Sequence, residues 1–421
     1  MMKNILMIAF HYPPYSGGSG VHRTLKFSRY LPQFGWRPII LTAHDRAYTQ
    51  TSSHQLQEIP SDVLVSRAFA LDTARHLSFK GAYVNMMALP DRWVSWLVGA
   101  VPLGMRLIRK YKPEAIWSTY PIATAHLIGF VLSKITGIPW VADFRDSMTE
   151  DHYPRDPRTK RCYQWIERNS LSQSARSVFT AGSTKNMYLS RYSWLKNESC
   201  LVIPNGFDEL DFQTFDMDKV VATDRQAPLR LVHAGVVYPE ERDPRPLFKA
   251  VAKLKVDGLL HANMLRIEFR GSGSEDMYTT ILHALDITDI IHLLPSLPYR
   301  ESLEDCALSD ALLLLQGASC NHQIPAKAYE YLRLQKPVLA LTDNQGDTAS
   351  LLRECGGATI CNLHDEAVLY KEILAFLKKV RTGTHPIPEN AMVEKYSRKC
   401  QAGALARYLD QTTESVRSAN H

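Results

Sequence analysis

The stretch His322–Leu341, HQIPAKAYEYLRLQKPVLAL, reads as a helix running into a buried strand. Pro325 suits a first helical turn, because its missing N–H would find no partner inside the helix anyway. Tyr329, Leu332 and Leu334 give the segment one apolar side, so the pattern predicts a helix from about Pro325 to Gln335. The run PVLALTD that follows is apolar on consecutive positions, as expected of a strand covered on both faces. Lys327 then falls in the first turn of the helix, at the positive end of its macrodipole. A lysine there is unfavourable unless an anion lies between it and the free amides, or unless it simply points away into water.

The same alternation extends in both directions. Towards the N-terminus it runs through LRLVHAG (Leu229–Gly235), LRIEFRG (Leu265–Gly271), IIHLLPS (Ile290–Ser296) and ALLLLQ (Ala311–Gln316), and GATIC (Gly357–Cys361) follows. An earlier series has strand candidates at Asn4–Phe10, Pro38–Thr42, Ala115–Thr119, Pro139–Asp143, Ser177–Thr180 and Cys200–Ile203. Helical patterns such as VHRTLKFSRYLPQFG and ATAHLIGFVLSKITG separate them. The rhythm breaks at the polar stretch Pro204–Pro228. The expectation is α/β: two doubly wound, Rossmann-like parallel-sheet domains facing a cleft, spanning residues 1–205 and 206–394. A C-terminal helix over about 395–421 is available to pack back on the first.

Composition bounds the function. A chain of 421 residues, 45% hydrophobic and 22% charged, is globular and long enough for two or three domains. A formal charge of +6 favours phosphate-bearing small molecules or an anionic membrane surface. The basic residues are scattered and carry no nucleic-acid-binding signature, so no nucleic-acid partner is expected. The seven cysteines form no CxxC pair, which suits a reduced, cytoplasmic protein. The N-terminal apolar run, Ile5 to Phe10, is short and reads as a first strand and not as a secretion signal.

In open parallel sheets, ligands collect where loops leave the carboxyl ends of strands and meet helix N-termini. After the first strand, Gly17, Gly18 and Gly20 let backbone amides approach a phosphate or sugar, or serve only a flexible loop. In the second series Gly235 ends a strand and Arg242 precedes a helix, placed either for a diphosphate or as a solvated arginine among acidic neighbours. Gly271 and Gly273 follow another strand, for a ligand or merely for the turn. Glu330 lies three positions after Lys327 on the same helical side, suited to vicinal sugar hydroxyls or to a surface ion pair. In ADFRD, Asp143, Arg145 and Asp146 close a first-domain strand. They could orient an acceptor hydroxyl, with a carboxylate as general base, or form a structural Arg–Asp pair. His11 and His126 read as structural histidines.

Together the Gly-rich first loop, the PNGFD linker, the Gly235 loop and IPAKAYEYLRLQKPVLAL resemble the retaining GT-B glycosyltransferases of family 4. GIPWVADFRD and QIPAKAYEYL are similar to a bacterial branch that makes surface polysaccharides. The resemblance implies transfer with retention from a nucleotide-sugar donor to a glycan or lipid-linked acceptor. Arg242 and Lys327 would hold the diphosphate, Glu330 the ribose, and the Gly17–Gly18 loop would lie against diphosphate and sugar. The nucleotide-sugar is a substrate, and neither cofactor nor metal is expected, since such enzymes neutralise the leaving diphosphate with basic side chains and helix dipoles. Two positions depart from the pattern. The family's earlier glutamate falls at His322, a candidate contact to the transferred sugar, and the arginine after the strand glycine is Val236. A nucleotide-sugar 2-epimerase of the same fold and an inert sugar-nucleotide binding module are the alternatives.

The segment LPDRWVSWLVGAVPLGMRLIRKYKP offers Trp93, Trp96, Leu97, Val101 and Met105 ahead of Arg106, Arg109, Lys110 and Lys112. It fits peripheral contact with an anionic membrane on the inner face of the plasma membrane, or a core segment with a basic end. Gly99, Pro102 and Gly104 argue against one continuous helix there.

Overall fold

A computed structural model describes residues 2–16, 20–78, 85–213 and 227–419. The chain divides into two compact units, one formed by residues 1–204 with 398–421 and the other by residues 205–397.

Among the described residues the first unit carries seven strands: β1 (Lys3–Ile8), β2 (Trp36–Ala43), β3 (Leu64–Ala68), β4 (Ala115–Thr119), β5 (Trp140–Phe144), β6 (Arg176–Phe179) and β7 (Cys200–Val202). They pair in the order β3-β2-β1-β4-β5-β6-β7, and every pairing is parallel. Leu6, Ile8 and Ile39 pack on one face of this sheet, while Ile5, Met7 and Ile40 pack on the other. Such two-sided burial is why β1 and β2 read as unbroken apolar runs. Each buried Leu or Ile contributes about 1.5 to 3 kcal/mol. The C-terminal helix Arg398–Ala419 sends Ala402, Leu405, Ala406 and Leu409 into the second of these clusters, beside Leu25 and Phe27 of the helix Gly20–Tyr30.

In the second unit the strands are β8 (Leu229–Ala234), β9 (Leu265–Arg270), β10 (Ile291–Leu294), β11 (Ala311–Gln316), β12 (Val338–Thr342) and β13 (Ala358–Cys361). Their order is β10-β9-β8-β11-β12-β13, again parallel throughout. In each unit the strand order reverses at one pair, β1/β4 or β8/β11, and the loops there diverge to leave a crevice at the carboxyl ends.

The structure corrects two expectations. The segment with Gly99, Pro102 and Gly104 is a single helix, Ser95–Tyr111, with Pro102 inside it. Packing overrides propensity: a Cβ at Gly99 would lie 2.4 Å from the Phe69 carbonyl oxygen, and one at Gly104 would lie 2.6 Å from Leu132 Cδ1. The helix can sit this close to its neighbours only because both positions lack a side chain. Its aromatic positions also face inward. Trp96 is buried, the Trp93 indole donates to the Ala47 carbonyl at 3.2 Å, and Leu97, Val101 and Met105 pack against the core. Trp96 is therefore spent on the core and not available to a lipid surface, while Arg106, Arg109, Lys110 and Lys112 stay exposed. No helix among the described residues is long and apolar enough to cross a membrane.

Candidate functional site

The crevice of the second unit is built from the loop after β8 and the helix that follows β11. That helix runs Ala326–Arg333, so Lys327 is its second residue. The Tyr331 hydroxyl accepts the Ala234 N–H at 3.0 Å and ties the helix to the end of β8. Gly235 comes next, at φ +101°, a conformation that only glycine adopts without strain. A Cβ there would lie 3.4 Å from Lys327 Nζ, so glycine also keeps the backbone open towards the amine.

The loop then turns back on itself, with the Arg242 N–H donating to the Tyr238 carbonyl at 2.8 Å. The Gly317 N–H, just past β11, donates to the Glu241 carbonyl at 2.7 Å, and a Cβ at Gly317 would meet that oxygen at 2.3 Å. Gly317 is thus the close approach that fixes Arg242 beside Lys327. Sequence reasoning passed over it, because a glycine after an apolar strand looks like an ordinary turn.

The electrostatics of this corner are unusual. Lys327 keeps part of its surface accessible, yet burial pushes its ammonium down to about 7, Arg242 adds to the fall, and Glu330 and Cys306 oppose it. The Nε of Arg242 is buried and has no hydrogen-bond partner among the described residues. The amine of Lys327 donates to Nε2 of His233 at 3.1 Å, a neutral acceptor and not a carboxylate. Glu330 Oε1 takes a hydrogen bond from the Tyr299 hydroxyl at 2.9 Å. Two cations at a helix N-terminus, with the nearby carboxylate engaged by a tyrosine, make a site that favours a multiply charged anion.

Other residues singled out in the sequence take lesser places. Gly271 has φ +63°, and its Cβ would lie 2.8 Å from Ser296 Cβ, so its absence of a side chain serves the turn and a close approach to the next loop. His322 sits half-buried in the connection between β11 and the Lys327 helix. Val236 is exposed beside Gly273. Gly17 and Gly18 lie outside the described residues.

The first unit gathers its polar groups at the ends of β1 and β5. Asp143 is fully buried and does not pair with Arg145. Its partner is Arg23, which is 1% exposed and donates Nη2 to Oδ1 at 2.7 Å and Nε to Oδ2 at 3.0 Å. Thr119 Oγ1 donates to Oδ2 at 2.7 Å, and Arg23 also reaches the carbonyls of Ile203 and Pro204, both at 3.0 Å. A carboxylate so enclosed joins β5, β4, the Gly20 helix and the end of β7, and it has no surface left to touch a substrate.

Arg145 is oriented differently. Its Nη1 donates to the Gly20 carbonyl at 2.8 Å, while its buried Nε has no hydrogen-bond partner among the described residues. Beside it lies His11, stacked on Tyr15 with ring centroids 4.4 Å apart. Burial, and then Arg145, hold the His11 imidazole down to about 3, so it is neutral, and its Nδ1 would be 2.7 Å from a Cβ at Gly20. Asp146 lies close enough for its charge to favour the charged guanidinium of Arg145. His11 was read as structural from the sequence; its place beside Arg145 depends on pairing across the sheet and leaves no local signal. His126 is structural, its Nδ1 hydrogen-bonded to Ser118 Oγ at 2.8 Å in a fully buried aromatic nest.

Residues 17–206 match the family model described as "Glycosyl transferase 4-like domain". No curated protein sequence matches significantly. Among solved structures the chain is similar to sucrose-phosphate synthase from Thermosynechococcus elongatus, at 13% identity and TM-score 0.62 over 98% of this chain and 100% of that one. It is similar to Anabaena HepE in complex with UDP-glucose, at 14% identity and TM-score 0.57 over 99% and 100%. A UDP-N-acetylglucosamine 2-epimerase shares the fold as well, at 13% identity and TM-score 0.53 over 95% and 93%. At these identities the likeness is one of fold, and the fold is GT-B. The family match covers residues 17–206, and the solved structures share the GT-B fold of this chain.

Proposed function

We propose that the protein moves a sugar from a nucleotide-sugar donor to a glycan or lipid-linked acceptor, with retention at the transferred carbon, in the synthesis of a surface polysaccharide. The observation that carries the donor half is the pair Arg242 and Lys327. They are held at the β8/β11 crevice, where Lys327 loses proton affinity through burial and through Arg242. A diphosphate placed between them and the first-turn amides offsets that repulsion, and its charge grows as the sugar departs, so the same groups stabilise the transition state. Glu330, three residues on, is the ribose contact; the Tyr299 hydroxyl holds its carboxylate in place. His322 is the candidate contact for the transferred sugar.

In the first unit we assign acceptor orientation to Arg145, with Asp146 as the carboxylate that would take the acceptor proton. Asp143 serves them only indirectly, by fixing the end of β5. The Anabaena relative is in complex with UDP-glucose, which makes uridine diphosphate sugars the first donors to try.

The test is to incubate the protein with a panel of nucleotide-sugars, with and without lipid-linked and soluble glycan acceptors, and to follow products by mass spectrometry. Donor consumption that requires an acceptor and leaves a glycosylated product supports transfer. Acceptor-free conversion of the donor to its 2-epimer would replace this reading with epimerisation. Binding without turnover on any acceptor would replace it with a binding module.

A further inference from the structure

His233 is an unexpected residue in the middle of a core strand. It lies in β8, is fully buried, and sits between apolar neighbours Val232 and Ala234. Its Nδ1 lies 2.9 Å from the Leu313 carbonyl oxygen. A carbonyl only accepts, so Nδ1 carries the proton and Nε2 presents its lone pair. That lone pair faces Lys327 Nζ at 3.1 Å. Burial, followed by Lys327, keeps the imidazole neutral well below its ordinary range.

The chemistry of the acceptor matters. A carboxylate in this position would pair with the ammonium permanently and compete with an incoming anion. A neutral imidazole holds the amine in place whether or not it is protonated, and it adds no negative charge of its own to compete with an incoming anion. We infer that His233 is a positioning residue for donor binding: its fixed tautomer holds Lys327 Nζ against the open backbone at Gly235, where the donor diphosphate would lie. The inference rests on the reading of Lys327 as a diphosphate ligand. The charged and titratable groups around the amine are Arg242 from the β8 loop, Glu330 and Tyr331 from its own helix, Cys306 from the helix Tyr299–Ala307, and His233 itself. Of these, Arg242 and Glu330 are the charged ones, and the phenol and thiol are both pushed up and stay neutral near pH 8.

The experiment is calorimetric titration of the full chain with UDP, ADP and GDP at pH 8, in two buffers of different ionisation enthalpy, which counts protons taken up. The tightest-binding nucleotide is then carried through the variants His233→Leu, His233→Gln and Lys327→Ala. Wild type should take up close to one proton, because the amine is mostly neutral in the free protein at that pH and charged in the complex. His233→Leu should bind about tenfold or more weakly, as expected for a misdirected charged hydrogen bond. His233→Gln, whose amide oxygen can stand in for Nε2, should recover affinity to within about threefold and keep the proton uptake. If both His233 variants match wild type in affinity and proton uptake while Lys327→Ala loses both, the positioning role is wrong and the donor site stands. If Lys327→Ala itself binds and takes up protons like wild type, it is the donor-site reading that fails.

Discussion

Replacing Lys327 by Met should stabilise the free protein, and more so in acid. The amine falls from 10.5 to about 7 on folding. Below pH 7 both states are protonated, and the folded state bears the whole cost of an ammonium that is largely removed from water and lies near Arg242. As pH rises from 7 towards 10.5 the folded form sheds its proton first, so the cost fades. The fall corresponds to about 5 kcal/mol at pH 6, which the accessible part of the side chain reduces through solvent screening. Against this, Met leaves His233 Nε2 buried without its donor, at about 1 to 3 kcal/mol. The net gain should be about 1 to 2 kcal/mol at pH 6, and it should shrink by about 2 kcal/mol by pH 9, where the variant is level with wild type or slightly worse.

The two units can be watched separately. All seven tryptophans, from Trp36 to Trp194, lie in the first unit. Urea unfolding followed by tryptophan fluorescence should therefore be unchanged in the variant, while the remaining far-ultraviolet circular dichroism transition moves to higher urea at pH 6. A lower midpoint at pH 6, or a midpoint difference independent of pH, would refute the argument that the amine is held against its electrostatic preference.

Three further outcomes follow from the same geometry. Asp143→Ala should destabilise the first unit by about 3 to 5 kcal/mol, because it strands the buried Arg23 guanidinium, and the loss should appear in the tryptophan fluorescence transition. Gly235→Ala should cost about 1 to 2 kcal/mol from the positive φ and should also weaken nucleoside diphosphate binding, since the new methyl group would lie against the Lys327 amine. Glu330→Gln should weaken binding of the nucleoside while inorganic pyrophosphate binding is unchanged, read by competition against a fluorescent nucleotide.

The parallel α/β architecture was legible because its strands are covered on both faces. ALLLLQ and PVLALTD announce themselves as apolar runs, and β11 and β12 fall within them. β3, Leu64–Ala68, was not anticipated: it is an edge strand, half-exposed along most of its length, and Ser66 and Arg67 break its apolar run. Pro102 and two glycines misdirected the reading of Ser95–Tyr111, since the contacts that favour a continuous helix come from Phe69 and Leu132, well separated in sequence. The site divides along the same line. Lys327 is conspicuous because a cation in a first helical turn is locally unfavourable, which any window of the sequence reveals. The partners that define the chemistry are remote: His233 lies 94 positions from Lys327, and Arg23 lies 120 from Asp143. A histidine inside LRLVHAG looks like core until its ring nitrogen is seen facing an amine, and nothing in ADFRD discloses that Asp143 belongs to Arg23 and not to Arg145.

The central claim is that Lys327 and Arg242 hold the diphosphate of a nucleotide-sugar. It is tested most directly by titrating wild type and Lys327→Ala at pH 7 with the best-bound nucleoside diphosphate and with its parent nucleoside. The account predicts that the substitution weakens the diphosphate by about 1.5 to 3 kcal/mol, the range for a hydrogen bond to a charged group, and leaves the nucleoside unchanged. Equal diphosphate affinity in the two proteins would contradict it.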